Sequence, residues 1–308
     1  MNTHSDANPE SLGSHAVAPA NLAPTRPFYW SVRRELWENH SIYLAPLAAS
    51  ALVLFVFLIS LIGLSRTTIA AAVHDPAPEL SVIDRPYESA AGLLMVVGMI
   101  VGVFYCLDAL YGERRDRSIL FWKSLPVSDF TTVLSKATIP LVVLPIITVG
   151  LTVITQFIIL LSTSAVLRAH GLSVATYWTR LSFFQMSLMV FYHLFTVHVL
   201  RHAPFYAWFL LVSAWAKRAP FLWAFLPPLA IAFIEKMLFN TTYFANMLVA
   251  ALSGGTEAVP FPGRMPIEPG MQLTPGHFLL SPGLWIGLAI TAAFLFAAVR
   301  LRHNREPI

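Results

Sequence analysis

Long apolar runs, each cut off by a short polar or charged stretch, set the rhythm of this chain. Five are clear: Ile42 to Leu64, Ala90 to Tyr111, Ala137 to Leu161, Leu181 to Leu200 and Ser281 to Val299. A helix rises about 1.5 Å per residue, so about 20 apolar residues cross a hydrocarbon core of about 30 Å. Each run is long enough to cross once. A sixth crossing is drawn from the apolar stretch between Tyr206 and Phe239, which "AKRAP" interrupts at 216–220. Fully helical, that stretch would measure about 50 Å, too long for one span. Tyr206 to Trp215 is therefore expected to lie at the interface or to re-enter, while Phe221 to Phe239 crosses, kinked at Pro227 and Pro228.

Unbroken apolar runs argue against a membrane β-barrel, whose strands alternate over about ten residues. The expected fold is an all-α polytopic membrane protein with six transmembrane helices, spans at about 42–64, 90–111, 137–161, 181–200, 221–239 and 281–299. Composition agrees: 56% of residues are hydrophobic and only 12% charged, half the charge of an ordinary soluble domain. Residues 1–27, with several Ala, Pro and Asn, read as a disordered tail, and 28–308 as a single membrane domain. The first 40 residues hold no apolar core of a signal peptide, so none is expected to be removed. Between tail and first span, "PFYWSVRRELWENHS" at 27–41 sets Phe28, Val32 and Leu36 near one face. Trp30 and Trp37 fall beside them and Arg33, Arg34, Glu35 and Glu38 elsewhere, the pattern of an amphipathic interfacial helix.

With six crossings both termini share a side, and Lys and Arg should be in excess there. Only Arg66, Arg85, Arg168, Arg180, Lys236 and Arg264 fall on the opposite side, leaving fourteen of the twenty Lys and Arg on the side of the termini. That side is expected to be cytoplasmic. The outer loops 65–89 and 253–280 are acidic and Gly/Pro-rich respectively, and neither can bury a core of its own.

The chain shows no HExxH, GxSxG, CxxC or paired aspartates within a span, so no enzymatic constellation and no metal site is expected. His198 and His202 have i, i+4 spacing but no obvious third ligand. The single cysteine, Cys106, reads as a small core hydrophobe. Gly98 and Gly102 form a GxxxG suited to close helix packing. Gln156, Gln185, Tyr192 and His193 are polar at membrane depth, where such residues usually bond between helices. Gln156, Gln185 and Glu235 are the candidates for a substrate pathway, Glu235 alternatively snorkelling beside Lys236. A pathway with so few fixed charges leans towards a hydrophobic or amphipathic substrate. There is no GxxxxGK[ST], so uphill movement would need an ion gradient or a separate ATPase.

Charge concentrates at "ERRDRSILFWKSLPVSD", residues 113–129. Ser128 or Asp129 can cap a helix entering the third span, and Pro126 breaks what precedes it. Arg117 to Lys123 suits a short helix whose Ile119, Leu120, Phe121 and Trp122 offer an apolar surface too large for an idle loop. Docking to a protein and burial in lipid headgroups both fit that surface.

The stretch "ALYGERRDRSILFWKSLPVSDFTTVLSK" at 109–136 resembles the cytoplasmic segment of bacterial type 2 ABC transporter permeases, and "LLVSAWAKRAPFLWAFLPPLAIAFIEKMLF" at 210–239 resembles their later segment. The resemblance covers about a fifth of the chain, in the family's order. It implies a permease of the bacterial inner membrane with both termini cytoplasmic, forming a homodimer or pairing with a second permease. It further implies a cytoplasmic coupling helix between spans 2 and 3 that docks on separate ATPase subunits. By position that helix falls on Arg117, Phe121, Trp122, Lys123 and Leu125, with Glu113 and Arg114 leading in. No cofactor is implied in this chain; ATP and magnesium would be bound by the partner ATPase, and the remaining partner is the lipid membrane, with no nucleic acid. The expected function is the transport subunit of an ATP-driven exporter, not an enzyme in itself, the alternative being an ion-gradient-driven carrier.

Overall fold

The computed structural model describes residues 25–62, 80–118, 127–171, 173–175, 178, 183–253 and 279–304. Among them every regular element is helical. In chain order these are α1 (Thr25–Glu38), α2 (Ser41–Ile62), α3 (Leu80–Ala109), the short α4 (Tyr111–Arg115), α5 (Asp129–Thr138) and α6 (Leu144–Ala169). Then come α7 (Phe183–His193), α8 (Arg201–Trp215), α9 (Pro220–Phe239), α10 (Tyr243–Ser253) and α11 (Pro282–Asn304). Among the described residues, five helical stretches are long and apolar enough to cross a membrane: Ser41–Ile62, Ser89–Arg115, Asp129–Ala169, Pro220–Phe239 and Pro282–Asn304. A sixth crossing arises if Phe183–Thr196 and Arg201–Trp215, bent by 45°, are one broken span. This is the architecture of a polytopic helical membrane protein.

Two of these paths change register partway. α5 and α6 are joined by a π-helical turn, Ile139–Val143, and α7 and α8 by another, Leu194–Leu200. The sequence supplies a reason at each. Pro140 lies inside the first turn with Pro145 just after it, and Pro204 follows the second. Proline lacks an amide donor and its ring collides with the carbonyl four residues back. The wider π turn relieves that collision. The two turns touch, and Pro140, Leu144, Leu194, Val199, Tyr206 and Gly98 line a small cleft between them.

α3 and α8 form the centre. Half of the α3 span is buried, against 6% for α9, whose Phe221, Leu226, Phe233 and Met237 stand exposed. α8 packs chiefly on α11 and then on α3. Of the two placements expected for Tyr206 to Trp215, the interfacial one is corrected, since Tyr206, Ala207, Leu210 and Val212 are buried core; the bend leaves this segment as half of a broken span or as a re-entrant one. Arg201 opens α8, and it lies inside the fourth path, not in a loop after it, if α7 and α8 are one broken span.

Close approach in the centre rests on small residues. A Cβ on Gly98 would stand 2.9 Å from Thr148 Oγ1 of α6, and one on Gly102 2.9 Å from the Tyr206 ring of α8. Side-chain bonds tie the spans further, with Ser50 and Thr155 hydroxyls 2.7 Å apart between α2 and α6. Trp208 Nε1 donates to the Ala224 carbonyl at 3.0 Å between α8 and α9.

Candidate functional site at the charged end of the bundle

The charged residues that close the apolar runs converge. Glu35 of α1, which helical spacing assigns to a polar face, is only 2% exposed because it turns into the bundle. Its Oε1 is 2.8 Å from Lys136 Nζ at the inner turn of α5, and its Oε2 accepts from the Tyr105 hydroxyl of α3 at 2.8 Å. Lys136 also lies 3.2 Å from Glu113 Oε1 in α4. Arg302, in the last turn of α11, donates to Glu113 Oε2 at 3.0 Å and to Asp129 Oδ1 at 2.5 Å. Arg34 Nη1 comes within 3.8 Å of Glu113 Oε1, and His303 Nδ1 within 3.3 Å of Asp129 Oδ2. Three carboxylates thus meet three permanent cations, and Glu35, Glu113, Lys136 and Arg302 are all almost inaccessible.

Such burial costs several kcal/mol per ion before the pairings offset it, so the cluster contributes geometry more than net stability. It clamps α1, α4, α5 and α11 to one another. Ser128 accepts from the Thr131 amide at 3.1 Å and starts α5, which turns Asp129 and Lys136 towards the cluster and leaves Phe130 exposed. A second joint lies beside it. Ser213 Oγ accepts from the amides of Leu110 (3.0 Å) and Tyr111 (2.8 Å), where α3 breaks into α4. In return the Arg114 guanidinium donates to the carbonyls of Ala214 and Ala216 at the end of α8. Each helix break satisfies the other's orphan backbone groups.

The residues expected to dock an ATPase divide. Glu113 and Arg114 are 6% and 3% exposed and bond within this chain, so their side chains hold the fold and offer no docking surface. Arg117 lies past them with φ of 57°, a left-handed position that turns the chain out of α4. Phe121, Trp122, Lys123 and Leu125 lie outside the described residues. Just before the turn, exposed Arg115 and Asp116 pair at 2.9 Å, and that hydrogen bond draws the Asp116 carboxyl below its ordinary value.

No family model matches the chain, and no curated relative or solved structure does either.

The pathway candidates do not share a site. Gln156 is buried between α6 and α3, its Nε2 donating to the Tyr87 carbonyl at 3.3 Å. Gln185 faces outward on α7. Glu235 corrects its expectation: instead of snorkelling or lining a path, it caps α10. Its carboxylate accepts from the amides of Tyr243 (2.7 Å) and Phe244 (2.8 Å) and the Thr241 hydroxyl (2.9 Å). Asn240, at φ 50°, ends α9 in the left-handed position that makes this reversal feasible. α10 then packs back against α8, and His202 Nε2 meets the Leu252 carbonyl at 3.0 Å. Among the described residues no group of three His, Cys, Asp or Glu is placed to hold a metal.

Proposed function

We propose that this chain is the membrane-spanning permease subunit of an ATP-driven ABC exporter, worked through the loop at 116–128 by a separate cytoplasmic ATPase. The observation that carries the reading is the buried charge cluster. The loop leaves from α4 and returns through α5, and the cluster fastens both of those helices to α1 and α11. A push on the loop therefore reaches four helix ends together, which is what a coupling element needs. The 109–136 resemblance and the missing P-loop supply the partner: an ATPase whose closure moves Phe121 and Trp122.

In this reading the six crossings include the bent path through α7 and α8, both termini are cytoplasmic, and a second permease copy or paralogue completes the pathway. The clamped ends move as one body. The motion is absorbed where Ile139–Val143 and Leu194–Leu200 face each other, since π turns and prolines interrupt the hydrogen-bond ladder that stiffens a helix. A carrier driven by an ion gradient lacks its best residue, because Glu235 is engaged as a helix cap.

The test is the double variant Phe121→Ala/Trp122→Ala. It should insert and purify as wild type yet lose the ATPase, whereas undiminished ATPase coupling in the double variant would remove the docking role.

A further inference from the structure

Opposite Glu35, α1 carries an unusual outward stripe. The Arg33 guanidinium carbon lies 5.1 Å from the Trp30 ring centroid and 4.8 Å from that of Trp37, so the cation is held between two indoles. Those indoles are 56% and 66% exposed. Trp30 and Trp37 are seven residues apart and share one azimuth of the helix, with Arg33 beside them. The acids of α1 are engaged elsewhere: Glu38 pairs with Arg34 at 2.6 Å, and Glu35 with Lys136. Among the described residues Arg33 makes no ion pair, so the stripe presents a net positive charge on an aromatic floor.

We propose that Trp30, Arg33 and Trp37 form a binding site for the phosphate of an anionic phospholipid headgroup. Stacking fixes the guanidinium plane on the indoles and leaves its N–H edge for the forked hydrogen bonds that suit a phosphate. Indoles settle at the boundary between headgroups and acyl chains, which is the depth such a phosphate occupies. The neighbouring structure supports a lipid over a soluble protein. Two residues beyond α1 the chain enters α2, whose Tyr43, Leu44 and Leu47 begin the exposed apolar wall of the first span. The inward face of α1 is fixed to the bundle through Glu35, so the stripe holds a constant height at the membrane surface. This site stands independently of the permease reading.

The test uses the full chain in phosphatidylcholine vesicles doped with phosphatidylglycerol, with bromine on the acyl chains of one lipid or the other as a tryptophan quencher. The chain has eight tryptophans, so the Trp30→Phe/Trp37→Phe variant isolates the signal of these two. Their quenching per brominated lipid should be about fivefold stronger for phosphatidylglycerol, the preference expected from one basic group at an anionic surface. Arg33→Gln should abolish the preference with melting and helicity unchanged, and Arg33→Lys, which keeps charge without the planar stack, should retain part of it. Equal quenching by both lipids in the wild type, a preference that survives Arg33→Gln, or no quenching by either lipid would each overturn the proposal, the last because the stripe would then face protein or water.

Discussion

Lys136 Nζ sits 2.8 Å from Glu35 Oε1 with both side chains 3% exposed, although a hundred residues separate them. This contact fixes the amphipathic helix to the third membrane path and places Glu113 where Lys136 also reaches it. Lys136→Met leaves two carboxylates buried beside each other without their shared cation. Breaking a buried pair in this way costs about 3–5 kcal/mol. Thermal unfolding in detergent should show a large fall in midpoint, and Glu35→Gln in the same background should recover part of it.

Removing the cap on α10 separates a structural role for Glu235 from a transport role. Glu235→Ala frees two amides and should cost about 1 kcal/mol, the usual worth of an N-terminal cap. Glu235→Gln keeps one acceptor and should cost less. Neither should change the energy source of transport, which vesicle assays with ATP or with an imposed ion gradient distinguish.

The glycines of α3 predict an overpacking penalty. Gly102→Leu drives a side chain into the Tyr206 ring, and Gly98→Leu into Thr148 and Leu144. Each should lower stability by about 1–3 kcal/mol, whereas Gly150→Leu, with open space around its Cβ position, should be tolerated. Comparative melting of the three variants checks the order.

Ala219 holds a left-handed backbone, φ 46°, between α8 and Pro220. An L-residue pays about 1–2 kcal/mol there, a cost glycine avoids. Ala219→Gly should raise the melting midpoint, with the gain trimmed by the extra freedom of glycine in the unfolded chain.

How far the sequence foretold this structure depends on the range of the interaction. Hydropathy located α2, α9, α11 and the apolar segment Ser89–Arg115 to within a few residues, because lipid demands a continuous apolar stretch whatever the tertiary contacts, but not the start of α3 at Leu80. It left Tyr206 to Trp215 between an interfacial and a re-entrant placement, because Arg201, His202 and Pro204 break the apolar run and helical continuity depends on a π turn. The Ser128 cap was readable because cap and amide are neighbours. The charge cluster was not: Glu35, Glu113, Lys136 and Arg302 belong to different runs, and each alone reads as a flanking charge. The available signal was their complementary sign on the same expected side of the membrane. Glu235 was misread because its partners lie in α10, a helix too short for hydropathy to register.

The most direct measurement is affinity purification of the tagged chain from its native membranes in mild detergent, followed by mass spectrometry of what accompanies it. A stoichiometric soluble protein with a nucleotide-binding P-loop is expected, lost on Phe121→Ala/Trp122→Ala. A folded, monodisperse chain that comes down without any such protein and still transports when reconstituted alone would contradict the permease reading.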